Sequence, residues 1–211
     1  MELLNSHSKN VIIIDDDPAI NASMSRFLTL AGYQCHVFGS AVGVISFIKE
    51  HTEFLTTPSC IVCDNQMSGM TGLQLQEALQ DKDINVPLIL ISGESDVHEV
   101  ASGFRKGAID FLIKPLDVNK LEQATEKALA YHSTQLQSTS SKSILASRVA
   151  LLTPREREVA RLVAKGHTNL GVALNLNIAL RTVKLHRHRA LKKLNASGLV
   201  DLVKISELVD L

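Results

Sequence analysis

Apolar residues in the first 133 positions alternate between two patterns. Short β-rich runs occur at Asn10–Asp15, Gln34–Phe38, Ser59–Asp64, Val86–Ser92 and Ile109–Ile113. Between them lie amphipathic stretches at Pro18–Ala31, Ser40–His51, Gly72–Gln80, Asp96–Lys106 and Asp117–His132, spaced as helices that bury one face. Near-continuous apolar runs such as VIIID and VPLILIS suit strands covered on both sides, as in a parallel sheet. Five βα units over residues 9–132 therefore predict a doubly wound α/β domain with a five-stranded parallel sheet. Functional groups of such a domain collect at the carboxyl ends of its strands.

Past residue 132 the strand pattern disappears. The segment STQLQSTSSKS (133–143) is rich in Ser and poor in apolar residues, and reads as an exposed linker or a frayed helix end, with the linker taken as 133–147. Thr153-Pro154-x-Glu156 is a capping box with Pro at the first helical position. It opens a helix carrying Val159, Ala160, Leu162 and Val163 that ends near Gly166. Further helices are expected over Thr168–Leu176, Ala179–Leu194 and Gly198–Val209, so residues 148–211 predict a small all-α four-helix domain.

Composition sharpens this division. A chain of 211 residues with 45% hydrophobic and 21% charged positions is globular, neither a disordered tail nor a collagen-like fibre. The formal net charge is zero, but residues 1–140 hold 9 Lys and Arg against 17 Asp and Glu, while residues 141–211 hold 13 against 5. An acidic half that suits cations or phosphoryl chemistry is thus joined to a basic half that suits a polyanion. No apolar run approaches the roughly 18 residues of a membrane span. Met1–Asn10 lacks a basic region followed by an apolar stretch, so no secretory signal is expected and the protein is placed in the cytoplasm, away from membranes. Cys35, Cys60 and Cys63 then imply no disulfide framework. Cys60-x-x-Cys63 has no second pair to complete a zinc site, and its apolar setting predicts small core residues.

The acidic half concentrates chemistry at its strand ends. Asp15, Asp16 and Asp17 close the first strand and Asp64 the third, and right-handed crossovers make those strands neighbours. Crowded carboxylates repel unless a hard cation is present, and Mg2+ needs only two or three acidic ligands because it keeps several waters. Ser92 ends the fourth strand, and Lys114-Pro115 follows the fifth. Each group alone has a plain structural explanation: a capped helix start, a polar strand terminus, a loop. Together they describe a phosphoryl site, with an Asp to attack phosphorus and Lys114 and Ser92 to hold its oxygens.

The runs VIIIDDDPAI, IVCDNQMSGMTG, LILISGESD and GAIDFLIKP resemble, in order and spacing, the signatures of a response-regulator receiver domain. The resemblance implies that Asp64 accepts a phosphoryl group from a phosphohistidine of a sensor histidine kinase. It implies that Asp15 or Asp16, Asp64 and the backbone carbonyl of Gln66 hold Mg2+, with Asp16 favoured as the direct ligand and Asp15 acting through water. Lys114 would pair with the phosphoryl group, Ser92 takes the usual Thr/Ser place, and Phe111 that of the aromatic switch. Ser68 departs from the family in standing where Pro usually follows Met67. Asp15-x-Asp17 after four apolar residues also mimics a haloacid-dehalogenase-like, aspartate-nucleophile phosphatase. That pattern calls for Thr or Val where Ala19 stands, and leaves Asp64 without a role.

In the basic half, Arg181, Lys184, Arg187, Arg189, Lys192 and Lys193 fall within thirteen positions that hold no acid. Such a helix repels itself, and a phosphate backbone is a better explanation than a solvated face. A short helix, a tight turn around Leu176-Asn177-Ile178 and this helix form the order of a helix-turn-helix. The stretch LTPREREVARLVAKGHTNLGVALNLNIALRTVKLHRHRALKKL resembles the LuxR-type DNA-binding domain. That resemblance directs Lys184, Leu185 and His188 toward bases, and Arg181, Thr182, Arg187 and Lys192 toward the duplex and its phosphates. It also makes Leu199, Val200, Leu202 and Val203 of the last helix dimerising residues. Two departures stand out: Leu170-Gly171 replaces the usual Lys-Glu pair, and Ala179 the usual Ser or Thr cap.

The two resemblances together identify a NarL/FixJ-type two-component response regulator, a transcriptional regulator and not a metabolic enzyme. Phosphorylation would draw Ser92 and Phe111 inward, remodel the Asp96–Lys106 helix and the last strand, and promote a homodimer on a near-palindromic operator. Release of the basic domain from the acidic one is the other route. A phosphorylation-independent adaptor, its receiver a docking surface, is the alternative from another class.

Overall fold

The computed structural model describes residues 9–93, 101 and 103–211. The chain divides into two compact units between Leu136 and Gln137. The first holds a five-stranded sheet, β1 (Asn10–Ile14), β2 (Gln34–Phe38), β3 (Ser59–Asp64), β4 (Leu88–Ser92) and β5 (Asp110–Ile113), in the order β2-β1-β3-β4-β5. All four pairings are parallel. Helices α1 (Pro18–Leu30), α2 (Val44–Glu50) and α3 (Gly72–Gln80) and the start of α4 (Val118–Ala150) cover it.

Successive strand residues point to opposite faces, so each strand feeds two cores. Ile12, Ile14, Ile61, Cys63, Leu88 and Leu90 pack with Val44 and Ile48 of α2 and Leu75 and Leu79 of α3. Val11, Ile13, Cys60, Val62, Ile89 and Ile91 pack with Met24 and Leu28 of α1 and Leu121, Ala124, Ala128 and Leu129 of α4. Both faces being covered is why Val11–Ile14, Cys60–Cys63 and Leu88–Ile91 are unbroken apolar runs, with Asp64 and Ser92 closing β3 and β4. Cys60 and Cys63 are buried core residues, and burial pushes both thiols far above the ordinary cysteine range.

Most boundaries fall within a residue or two of the sequence pattern, and three differences have a visible physical reason. Helix α2 begins at Val44, not Ser40, because Gly43 takes a left-handed conformation (φ 89°) that no helix continues through. Strand β4 begins at Leu88, after Pro87, which has no N–H for the ladder. Helix α4 does not end near His132 but continues to Ala150, so the Ser-rich segment is helical and largely solvent-exposed. The expected Asp96–Lys106 helix lies largely outside the described residues; Gly103, Phe104 and Arg105 are helical.

The second unit contains α5 (Pro154–Ala164), α6 (Asn169–Leu176), α7 (Leu180–Leu194) and α8 (Leu199–Leu208). The Thr153/Glu156 capping box forms in both directions. Asn177 takes a left-handed conformation (φ 49°) and turns the chain from α6 toward α7. Val159, Val163, Val172, Val183, Ala190, Leu194 and Leu202 form the core. Among the described residues no helix is long and apolar enough to cross a membrane.

Candidate functional site

The parallel register brings the ends of β1, β3, β4 and β5 to one edge. The backbone N–H of Asn65 donates to Ile91 (2.7 Å), and that of Lys114 to Ser92 (2.8 Å), which ties the residues after β3 and β5 to the end of β4. Asp15, Asp64 and Ser92 are buried there, whereas Asp16 is exposed. Carboxylate oxygens of Asp15, Asp16 and Asp64 lie within 4.8 Å of one another, a set able to hold a metal ion.

Every carboxylate in this set is restrained. Lys114 Nζ donates to Asp64 Oδ2 (2.8 Å) and to Asp15 Oδ2 (2.9 Å). Asp15 Oδ1 accepts from the N–H of Asp17 (2.8 Å), and Asp64 Oδ1 from that of Gln66 (3.2 Å). Asp16 Oδ2 accepts from the N–H of Ser68 (3.3 Å), the residue standing where Pro is usual, so this departure supplies a donor to the site. Burial pulls the Lys114 pKa down, but the carboxylates of Asp64 and Asp15 outweigh it and hold the ammonium above its ordinary value. Asp17 caps α1 through the N–H of Ala19 (2.8 Å), apart from the cluster. Phe111 is half-buried on β5, opposite Leu90, against the core shared with α2 and α3.

Two contributors carry no sequence signal of their own. A Cβ on Gly72 would stand 2.6 Å from Leu90 and 2.9 Å from the backbone oxygen of Asp64, so only Gly lets α3 start against the end of β3. Asn65 is buried, and its Oδ1 accepts from the N–H of Leu73 (3.2 Å), anchoring the same helix beside Asp64.

In the second unit, α7 turns Val183, Ala190 and Leu194 into the core and leaves Arg181, Lys184, Leu185, His188, Arg189 and Lys192 exposed. Arg181, Lys184, Arg189 and Lys192 make no ion pair among the described residues, and so remain available to phosphates. Thr182 is half-buried at the start of the helix. Two of the six cations are committed within the domain: Arg187 Nη1 donates to Asn169 Oδ1 (2.9 Å), and Lys193 Nζ to buried Glu156 (2.6 Å). Ala179 leaves the start of α7 without a side-chain cap. In α6 Leu170 is exposed, and Gly171 N–H is capped by Thr168 with room for a Cβ, so this glycine is not forced by packing.

The last helix requires a correction. Leu199 and Val200 are exposed and Val203 half-buried, but Leu202 is fully buried among Val159, Val183 and Leu194. Leu202 belongs to the domain's own core, and that burial argues against the dimerising role expected of it.

Known proteins match both units. The family model described as response regulator receiver domain matches residues 11–126, and that of the bacterial regulatory proteins of the luxR family matches residues 150–206. Response regulator protein TmoT of Ectopseudomonas mendocina is 31% identical over 204 residues, 97% of this chain and 90% of TmoT. Transcriptional regulatory protein FixJ of Rhizobium meliloti (strain 1021) is 30% identical over 196 residues, 93% of this chain and 94% of FixJ. The solved structure of response regulator StyR is 32% identical and superposes with a TM-score of 0.80, covering 96% of this chain and all of that one. A receiver fold with an acidic strand-end cluster, followed by a helix-turn-helix with a basic second helix, matches these relatives over nearly full length. The chain belongs to the two-component response regulators that join a receiver to a LuxR-type DNA-binding domain, and is a phosphorylation-regulated transcriptional regulator.

Proposed function

We propose that Asp64 is the phosphoryl acceptor and that its phosphorylation drives pairing of the chain on DNA. The observation that carries this reading is the double contact of Lys114 with Asp64 and Asp15, beside the exposed carboxylate of Asp16. A buried carboxylate at a strand end, with a fixed ammonium and a second acidic group in reach, suits attack on a phosphorus that carries negative oxygens.

The donor set fits Mg2+: hard carboxylate oxygens, close together, with one residue open to solvent. Asp15, Asp16, Asp64 and the backbone carbonyl of Gln66 would hold it. When bound, it supplies positive charge against the phosphoryl oxygens and the crowded carboxylates. An Asp64 oxygen attacks phosphorus while the P–N bond to the kinase histidine breaks, and that imidazole keeps the leaving electron pair. Lys114 then exchanges a carboxylate partner for a phosphoryl oxygen. The Ser92 hydroxyl donates to a second oxygen, and Phe111 turns further into the space beneath. This makes residues 9–132 the receiver, 133–147 the linker and 148–211 the DNA-binding domain.

On the output side Lys184, Leu185 and His188 face bases, with Arg181, Thr182 and Lys192 at phosphates. Arg187 acts from its bond to Asn169, orienting α6 against α7. Leu199, Val200 and Val203 supply the apolar contact of a homodimer, whose two-fold axis calls for a near-palindromic operator. The sites of action are the cytoplasm and its DNA.

Incubation with Mg2+ and a small phosphodonor, followed by intact mass spectrometry, tests the acceptor. One phosphoryl group is expected on the wild-type chain and none on Asp64→Asn. Undiminished labelling of Asp64→Asn would place the chemistry elsewhere.

A further inference from the structure

Asp15 and Asp16 are consecutive, yet both carboxylates reach the neighbourhood of Asp64. In an extended strand they would point to opposite faces. The peptide joining them must therefore leave strand geometry directly after β1 and be held there. Its oxygen is the backbone carbonyl of Asp15, and that oxygen accepts from Asn21 Nδ2 at 2.6 Å.

Asn21 lies one turn into α1 and is 95% buried. The same Nδ2 also donates to the backbone oxygen of Phe38 at 3.1 Å, an oxygen that accepts from the N–H of Asp15 as well (3.2 Å). One amide thus ties α1 to the ends of β1 and β2 and fixes the oxygen of the Asp15–Asp16 peptide. The amide's orientation is determined: reversed, it would set Oδ1 against two carbonyl oxygens with no proton between them. As placed, Oδ1 is buried with no hydrogen-bond partner among the described residues. Burying an acceptor in this way is unfavourable, and the two contacts made by Nδ2 are what it is exchanged for. Neither Lys114 nor Ser68 does this work, because they hold the carboxylates and not the backbone between them.

We infer that Asn21 is a positioning residue of the phosphotransfer site. It sets the Asp15–Asp16 peptide so that both carboxylates face Asp64, and through them sets the affinity for Mg2+. This rests on the acidic cluster being the Mg2+ site. Asn21 touches neither the cation nor the phosphoryl group, so its loss acts on cation affinity and not on the chemical step.

The test is Mn2+ binding followed by electron paramagnetic resonance, with Mg2+ as competitor, on the full chain and on Asn21→Ala. Phosphorylation by a small phosphodonor is measured alongside across a Mg2+ series. Loss of an outer-shell partner is expected to weaken both metals by about 10- to 100-fold, while the phosphorylation rate at saturating Mg2+ stays within about twofold of wild type. A merely structural role would lower the melting temperature of the metal-free protein and leave metal affinity unchanged. Should Asn21→Ala not fold, Asn21→Gln, which keeps the amide but displaces it by one methylene, is read by the same criteria. Wild-type metal binding with an unchanged affinity in the folded variant overturns the role of Asn21 alone. Absence of metal binding by the wild-type chain overturns it together with the assignment of the acidic site.

Discussion

Lys114 Nζ lies 2.8 Å from Asp64 Oδ2 and holds Asp15 at 2.9 Å with the same ammonium. The carboxylate side chains are 6% and 0% exposed, so this lysine is the positive charge that lets two buried acids stand together. Lys114→Ala is expected to destabilise the receiver by roughly 2–4 kcal/mol. This is near or below the usual cost of stranding a buried charge, since the lysine side chain keeps some solvent contact. Mg2+ should return part of the loss. Urea unfolding with and without Mg2+ checks both statements; a variant as stable as wild type without metal contradicts them.

His132 links pH to receiver stability. It is buried on α4, its Nδ1 accepts from the N–H of Ser59 at 2.9 Å, and burial holds its pKa below the ordinary 6.5. A depressed folded pKa means that folding favours the neutral ring. Its contribution is complete above 6.5 and is lost as pH falls through the folded value. Melting temperatures between about pH 5 and 8 should therefore decline on the acid side, and decline less in His132→Gln. Parallel curves for the two proteins would remove His132 from the account.

The missing cap of α7 is a specific, correctable weakness. Ala179 has the extended backbone of an N-cap residue (φ −64°, ψ 143°) but no side chain to accept from the helix. Ala179→Ser should stabilise the second unit by about 0.5–2 kcal/mol, read as a higher unfolding midpoint. No change in midpoint would mean that solvent already satisfies that end.

Exposed and internally paired cations of α7 should behave differently on DNA. Lys192 has no ion pair among the described residues, whereas Lys193 is bonded to Glu156 and to the Leu151 carbonyl. Lys192→Ala should weaken binding across all sequences and lower the salt slope by about one. Lys193→Ala should act mainly on stability, by leaving Glu156 buried without its partner. Equal salt slopes for Lys192→Ala and wild type would move the phosphate contacts elsewhere.

What the sequence disclosed follows from how each feature is buried. Strands covered on both faces carry near-continuous apolar runs, so β1, β3 and β4 stand out, and the groups at their carboxyl ends are marked by the change to Asp or Ser. The continuation of α4 past His132 was hidden for the opposite reason. A helix bonds its own backbone, and one exposed around its circumference writes no apolar stripe. The place of Leu202 is not legible in the sequence because Leu199, Val200, Leu202, Val203 and Ile205 put apolar side chains on more than one face, and periodicity alone does not tell own core from outer surface. Asn21 and Gly72 were silent, since a single amide in an apolar stripe or a glycine at a helix start becomes meaningful only when the backbone beside it is located.

The central claim is that phosphate on Asp64 controls DNA binding, and the affinity of the full chain for genomic DNA fragments, with and without Mg2+ and a small phosphodonor, tests it most directly. Phosphorylation should tighten binding, by about 5- to 150-fold if the coupling is of ordinary size, and Asp64→Ala should abolish the gain. Tight binding that ignores the phosphodonor would contradict the account and leave the receiver a scaffold.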